Sequence, residues 1–211
     1  MSARTFALAN LKGGCGKSTL ALNLAAGLAR RGSTSLVDAD PQGALLHWAD
    51  WAGSEGDFPG LLQAGRNPGE ILEQAARDSR YVVIDCPPSV DMDITGQCLE
   101  QVDVVLIPVL PSPLDLWASA GTVAAVERAR QANPRLRAWL VLNQTEPRSA
   151  MSRAIGGAVA SLDVPVLNTR IRRRAAYRTS AVEGRSVYQL GARGAAAMNE
   201  IEDLIQEVLQ A

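Results

Sequence analysis

A glycine-rich segment near the start of the chain has residue types suited to phosphate chemistry. It reads Leu11-Lys12-Gly13-Gly14-Cys15-Gly16-Lys17-Ser18-Thr19. Its glycines allow successive backbone N–H groups to turn toward one point, and a helix that starts directly after it adds its positive end. Lys17 can then reach β- and γ-phosphates, and the Ser18 hydroxyl can bind Mg²⁺. Position 11 is leucine where the general phosphate-loop pattern has glycine, but the variant Lys-Gly-Gly-x-Gly-Lys-Ser/Thr matches in full.

Lysine is absent outside this loop. Of the 21 basic residues, 19 are arginine, and the two lysines are Lys12 and Lys17. An ammonium is a compact point charge whereas a guanidinium is a planar fork, so lysine kept at these two places indicates contact with phosphate oxygens. A plain turn is the alternative interpretation of any glycine-rich loop. The strand predicted before it, the helix predicted after it and the two lysines favour a phosphate site.

Three aspartates follow apolar segments that are predicted to be strands. Asp85 ends one of these segments, and Asp38 and Asp40 follow another. Ligands of doubly wound folds bind at the carboxyl ends of parallel strands, so we expect Asp85 to hold an Mg²⁺-bound water there. Asp38 and Asp40 suggest a division of labour, with one near the metal and one positioning an attacking water. Two alternatives stay open: Asp85 as a turn residue, and Asp40 as the N-cap of a helix that begins at Pro41.

Short apolar strands alternate with helices along the chain. The predicted strands are Thr5–Asn10, Thr34–Val37, Tyr81–Asp85, Val102–Val109, Ala138–Asn143 and Val164–Ile171. The predicted helices are Lys17–Arg30, a short one carrying Leu45 to Trp51, Glu70–Arg77, Leu114–Gln131, Met151–Leu162 and Gly194–Leu209. This alternation implies parallel crossovers, and therefore an α/β fold: a doubly wound, mostly parallel sheet with helices on both faces. No repeat or domain boundary is evident, so we expect a single domain over residues 1–211.

The composition indicates a cytoplasmic protein. No run of 18 or more apolar residues is present, and the first residues lack the layout of a signal peptide. The three cysteines have neither a paired framework nor metal-ligand spacing, which fits a reducing compartment.

Positive charge is concentrated late in the chain. Nine arginines lie between positions 148 and 193 against two acids, Asp163 and Glu183, so this segment carries +7 and the remainder −8. These acids are too few to pair the arginines, and we expect contact with DNA phosphates. The candidate DNA-binding residues are Arg148, Arg153, Arg173, Arg174, Arg178 and Arg185. A solvated face with internal ion pairs is the alternative.

Four motifs together resemble the ParA/MinD family of positioning ATPases, P-loop NTPases of the SIMIBI class. They are the loop with Lys12, Asp38-Ala39-Asp40-Pro41-Gln42, Asp85-Cys86-Pro87-Pro88, and Pro108-Val109-Leu110-Pro111-Ser112-Pro113-Leu114-Asp115. The resemblance covers essentially the whole chain. Within the family, the chain is most similar to ParF-type plasmid partition ATPases and to relatives that position carboxysomes and other cargo.

The resemblance implies a homodimer that sandwiches ATP and Mg²⁺. In this arrangement Lys12 would cross to the partner subunit's phosphates, whereas Lys17 and Ser18 would serve their own nucleotide. Asp40 would orient the attacking water, which makes Lys12, Lys17 and Asp40 the candidate catalytic residues.

The same resemblance implies the remaining ligand contacts. Asp38 and Asp85 would support the Mg²⁺ shell together with Ser18, the aspartates through water. The candidate nucleotide-binding residues are Gly13, Gly14, Cys15, Gly16, Lys17, Ser18, Thr19, Asn143 and Arg172. Of these, Asn143 matches the position that contacts adenine. Arg172 comes directly after Ile171, in the stretch whose residues would line the base.

By the same resemblance, the ATP-bound dimer binds DNA without sequence preference and is therefore nucleoid-associated, and a ParB-like or cargo-bound adaptor stimulates hydrolysis. A MinD-like regulator at the membrane is the first alternative. The segment from Asn199 to Ala211 argues against it, because this amphipathic segment has four acids and no basic residue to meet anionic lipid. We expect this segment to pack on the domain. A small-molecule ligase or kinase and a nucleotide-switched binder without useful hydrolysis are further alternatives.

Overall fold

A seven-stranded parallel sheet forms the centre of the molecule. The structure, a computed structural model, describes residues 3–53, 56, 58–65, 67–88, 92–146 and 162–210. The strands are β1 (Arg4–Leu8), β2 (Thr34–Asp38), β3 (Leu62–Gln63), β4 (Tyr81–Asp85), β5 (Val104–Val109), β6 (Arg137–Thr145) and β7 (Val166–Arg172). Their order is β3-β2-β4-β1-β5-β6-β7, with every pair parallel. The chain thus reverses its direction of winding at β1.

Helices cover both faces of this sheet. They are α1 (Lys17–Ala29), α2 (Ala44–Ala52), α3 (Pro68–Asp78), α4 (Met92–Leu99), α5 (Pro113–Ala118), α6 (Ala120–Ala132), α7 (Ala175–Glu183) and α8 (Ala195–Gln210), with a 3₁₀ segment at Val187–Arg193. In β1, Phe6 and Leu8 enter the hydrophobic core covered by α1 and α8, whereas Ala7 enters the core covered by α3, α4 and α6. This two-residue alternation between two cores confirms the predicted doubly wound fold.

Several predicted elements differ from the observed ones. The helix predicted over Leu114–Gln131 is two helices, α5 and α6, which meet at the fully buried Ser119. The predictions include no counterpart of β3, α4 or α7; in α7 only Ser180 is buried, so there is no apolar stripe to detect. The predicted helix from Met151 lies outside the described residues, apart from its last residue, Leu162.

The C-terminal helix packs on the domain, as predicted. Its Ile201, Leu204, Ile205 and Val208 side chains are fully buried in the core that contains α1. Among the described residues, no helix has the length and apolar character needed to cross a bilayer.

Carboxylates of α8 also bind the outer strand β7. Glu207 accepts hydrogen bonds from the backbone N–H groups of Asn168 (2.6 Å) and Thr169 (2.8 Å). Glu200 accepts one from the N–H of Arg172 at 3.2 Å. The helix therefore meets the strand through side-chain acceptors as well as through apolar packing.

Candidate nucleotide-binding site

The glycine-rich loop joins the end of β1 to the start of α1. Gly14 and Gly16 have φ angles of 77° and 91°, a backbone region that favours glycine. A Cβ at Gly13 or Gly14 would have no neighbour within 4 Å, so this side of the loop is open. A Cβ at Gly16 would lie 2.5 Å from Nδ2 of Asn143, so here the loop contacts the end of β6. The loop is therefore open on the side where phosphates would approach and tightly packed behind.

Lys17 is buried beneath this loop. Its ammonium donates to the carbonyl oxygens of Asn10 (3.0 Å) and Lys12 (3.3 Å). Because it is held across the loop by these two acceptors, its charge is already placed at the centre of the phosphate site.

Asn10 fixes the loop from below, a role that the sequence prediction missed. Its amide group donates to the carbonyl of Pro108 (2.8 Å) and to the Ser119 hydroxyl (3.1 Å), and its Oδ1 accepts from the N–H of Lys12 (3.0 Å). Thr122 adds a second anchor by accepting from the N–H of Leu11 at 3.0 Å. The only signal in the sequence was a polar residue at the junction of a strand and a glycine loop.

The side chain of Lys12 forms an ion pair with Asp115 of α5. The Lys12 side chain is 37% exposed and that of Asp115 is 11% exposed. The acid belongs to one of the four family motifs, but its pairing with the loop lysine was not predicted. The loop lysine thus lies at the surface with its charge neutralised inside its own chain.

The three predicted aspartates lie together at the carboxyl ends of β2 and β4. Asp38 and Asp85 are register partners in these neighbouring strands, and the N–H of Ala39 donates to the carbonyl of Asp85 at 3.0 Å. Besides burial, which is the largest cause, the Asp38 and Asp40 carboxylates raise the pKa of Asp85 and the Lys17 ammonium lowers it. The three aspartates and Lys17 therefore share one site.

Asp38 acts as the cap of α2, a role that had been considered for Asp40. Its Oδ2 accepts from the N–H groups of Leu45 (2.9 Å) and Leu46 (3.3 Å) in the first turn of that helix. Asp40 instead accepts from the N–H of Gln42 at 2.9 Å. The alternative in which Asp40 caps a helix beginning at Pro41 is wrong, because α2 begins three residues later, at Ala44.

Asp85 has the properties expected of a magnesium-site carboxylate. It is buried, and neither of its carboxylate oxygens completes a hydrogen bond with a described residue. Burial raises its pKa to about 7, although the nearby Ser18 hydroxyl and the Lys17 ammonium lower it. A buried carboxylate beside a hydroxyl is a donor set that Mg²⁺ accepts, with water and phosphate oxygens completing its shell. The residues present therefore fit the ion.

A cleft of about 290 Å³ extends from the loop toward the ends of β6 and β7. Its lining includes Gly16 of the loop, Thr19 of α1, Asn143 of β6, Arg172 of β7 and Tyr177 of α7. Asn143 also donates to the carbonyl of Cys15 at 2.7 Å, so it supports the loop in addition to facing the cleft. Asn143 and Arg172 both line this cleft, and that they contact the base of a nucleotide stays a prediction.

The arginine-rich segment contains more ion pairs than its sequence suggests. Arg174 contacts Glu200 (2.7 Å), Arg173 contacts Glu146 (3.2 Å), and Arg193 contacts Glu183 (2.9 Å). Arg172 also lies 3.8 Å from Glu200. The expectation that the acids are too few to pair these arginines is therefore wrong, because Glu146 and Glu200 come from outside the counted segment.

The remaining candidate DNA contacts are Arg178, Arg185, Arg148 and Arg153. Arg178 is exposed on α7, where it also lines the cleft, and Arg185 is half-buried. Arg148 and Arg153 lie outside the described residues. Among the described residues, Arg173, Arg174 and Arg178 line the same cleft as the glycine loop, and Arg185 is not part of that lining.

Comparison with known proteins identifies close relatives. Residues 6–187 match the family described as the CobQ/CobB/MinD/ParA nucleotide binding domain. The chain is 56% identical over 207 residues to maintenance of carboxysome distribution protein A of Halothiobacillus neapolitanus. That alignment covers 97% of this chain and 96% of the relative.

Solved structures share the fold. A substituted form of Cyanothece McdA in complex with ATP has a TM-score of 0.70 at 17% identity and covers 99% of this chain and 96% of its own. The septum site-determining protein MinD of Pyrococcus horikoshii, complexed with Mg-ADP, has a TM-score of 0.72 at 18% identity. It covers 98% of this chain and 97% of its own. The chain therefore belongs to the CobQ/CobB/MinD/ParA family of nucleotide-binding ATPases and, within it, to the group of maintenance of carboxysome distribution protein A.

Proposed function

We propose that this chain is an Mg²⁺-dependent ATPase that maintains the distribution of carboxysomes. The observation that carries the proposal is a complete phosphate site in a chain 56% identical, over nearly its whole length, to a protein named for that role. The site combines an open glycine loop, a buried lysine and a buried carboxylate.

The loop would bind the triphosphate. Lys17 would exchange the carbonyls of Asn10 and Lys12 for β- and γ-phosphate oxygens, at little structural cost because its side chain is already in the site. Ser18 and Asp85 would hold Mg²⁺, which when bound neutralises the charge on the phosphates.

Hydrolysis would depend on Asp40 and on a second subunit. Asp40 is half-buried beside Asp85, and we assign it the orientation of the attacking water. Lys12 would leave Asp115 and reach the phosphates of the partner subunit. A nucleotide shared in this way stabilises the dimer by its higher affinity for the paired state.

The dimer would bind DNA phosphates through its arginines, which we take to be Arg148, Arg153, Arg173, Arg174, Arg178 and Arg185. The contact between Arg173 and Glu146 is 60% exposed on both sides, so it contributes little and can be exchanged for phosphate. Arg174 is held more firmly by Glu200, and Arg178 is more exposed. Arg178→Ala should weaken binding to random-sequence DNA and reduce the salt dependence of that binding. Arg77→Ala, which removes an exposed arginine of α3, should leave both unchanged.

An adaptor bound to the cargo would stimulate hydrolysis and release the ATPase from DNA. This step explains how a weak ATPase could move cargo, because each turnover returns the dimer to monomers that bind DNA poorly.

The proposed function is tested with the purified chain. Calorimetry with Mg²⁺–ATP should show binding that Lys17→Ala abolishes, and light scattering should show a dimer only when nucleotide is bound. Sedimentation with DNA should then require ATP, whereas liposomes should not sediment the protein. An absence of heat with ATP, or a monomer at saturating ATP, contradicts the proposal.

A further inference from the structure

Glu200 connects the two elements that form one wall of the base cleft. Its Oε2 accepts from the backbone N–H of Arg172 at the end of β7 (3.2 Å) and from the Tyr177 hydroxyl on α7 (3.3 Å). Its Oε1 accepts from Nε of Arg174 at 2.8 Å. Arg172, Arg174 and Tyr177 all line the cleft, whereas Glu200 lies behind them. One carboxylate therefore holds both sides of this wall.

The strength of this connection follows from its burial and charge. Glu200 is 8% exposed, and one of its donors is the charged guanidinium of Arg174. Hydrogen bonds that involve an ionised group are about twice as strong as neutral ones, and losing a buried acceptor leaves its donors unsatisfied. The wall would therefore loosen if this carboxylate were neutralised.

We propose that Glu200 is a positioning residue that sets the affinity of the site for the nucleoside part of its nucleotide. The inference rests on the proposed function, since it takes the occupant of the cleft to be ATP. Among the described residues, Glu200 has no hydrogen bond or ion pair with the loop or with the three aspartates. The loop is held by Asn10 and Asn143, and Asp38 is held by the backbone of α2. Its effect should therefore be confined to the base and ribose, leaving the phosphates unaffected.

The chain offers a matched control in Glu207. This residue lies on the same helix, about two turns further on, and its carboxylate binds N–H groups of the same strand at Asn168 and Thr169. It does not line the cleft. Glu207→Gln thus makes the same chemical change to the packing of α8 on β7 but at a distance from the nucleotide.

The experiment compares ATP with inorganic triphosphate, which lacks the nucleoside. Calorimetry would measure the affinity of each, as its Mg²⁺ complex, for the parent chain and for E200Q, E207Q and Y177F. We expect E200Q to weaken ATP binding about tenfold and to change triphosphate binding less than about twofold. Y177F, which removes a single donor, should weaken ATP binding about threefold with triphosphate again unchanged. E207Q should change neither.

The outcomes separate this inference from the proposed function. If the parent binds ATP but E200Q loses ATP and triphosphate affinity in parallel, Glu200 is merely structural and the inference is overturned. Unchanged ATP affinity in E200Q overturns it as well. If E200Q does not fold, the affinities of Y177F for ATP and for triphosphate decide in the same way. A parent chain that binds no ATP contradicts the proposed function itself.

Discussion

Lys12 and Asp115 form an ion pair that ties the phosphate loop to the first turn of α5. The proposed function requires the same ammonium to reach the phosphates of a second subunit. The pair would therefore oppose the proposed dimer, since it would have to break before Lys12 could cross.

The first prediction concerns this competition. Asp115→Asn keeps the size of the side chain but removes its charge, so Lys12 should be freed at little cost. Because the pair is partly exposed, the ATP concentration for half-maximal dimerisation should fall only about two- to fivefold, as measured by light scattering. Glu127→Gln, which removes an exposed ion pair on α6, should have no effect.

Lys12→Ala should abolish the ATP-dependent dimer even when combined with Asp115→Asn. A double variant that still dimerised would show that Lys12 does not make the contact between subunits.

The second prediction concerns Asp40. Asp40→Ala should reduce phosphate release about a hundredfold, because the attacking water would no longer be oriented. ATP binding should persist, so the dimer should stay on DNA instead of dissociating. The control is Asp50→Ala, which removes an exposed aspartate of α2. Normal turnover in the Asp40 variant would show that another group positions the water.

The third prediction concerns the close contact behind the loop. Gly16→Ala would place a methyl group 2.5 Å from Nδ2 of Asn143 at a φ of 91°. We expect a loss of about 2 kcal/mol, seen as a melting temperature about 4–8 °C lower without nucleotide. Gly13→Ala has open space and no positive φ, so it should melt close to the parent.

Asn143→Ala in the Gly16→Ala background should recover part of this stability, because it removes the clashing amide. No recovery would show that relief of the clash is no larger than the loss of the hydrogen bond from Asn143 to Cys15.

The fourth prediction is a pH dependence that arises from Asp85. Its pKa rises from 3.8 to about 7 on folding, mainly through burial, so the folded state holds the proton more tightly than the unfolded state. Its contribution to stability is therefore lost as pH rises through this window. Asp85→Asn cannot titrate, so its free energy of unfolding should exceed that of the parent by an amount that grows from pH 5 to pH 8, up to about 4 kcal/mol.

Urea unfolding without Mg²⁺ or nucleotide would measure this difference. A difference that stayed constant with pH would mean that Asp85 is ionised throughout the range.

The phosphate site could be predicted because most of its groups are adjacent in the sequence. The loop, its lysines and the strand-end aspartates each lie within a few residues of a recognisable strand or helix boundary. Their meeting at one edge follows from the parallel sheet, which the alternation of strands and helices had indicated.

The remaining contacts join residues that are distant in the sequence. Asn10 reaches Ser119, and Asp115 reaches Lys12, through crossovers whose relative placement no local pattern specifies. The same limit explains the error on the arginines, because Glu200 becomes their neighbour only when α8 packs against β7. The junction of α5 and α6 was missed too, and the buried Ser119 at that junction accepts a hydrogen bond from Asn10, which is distant in the sequence.

The carboxylate of Glu207 occupies N–H groups along the outer strand of the sheet. A bare strand at this position would offer a template on which another chain could add a strand and start a fibre. With these donors already satisfied, growth of the sheet from one molecule to the next is disfavoured. The dimer proposed above would therefore form through another surface, and a chain that cycles between monomer and dimer as proposed would avoid this irreversible form of assembly.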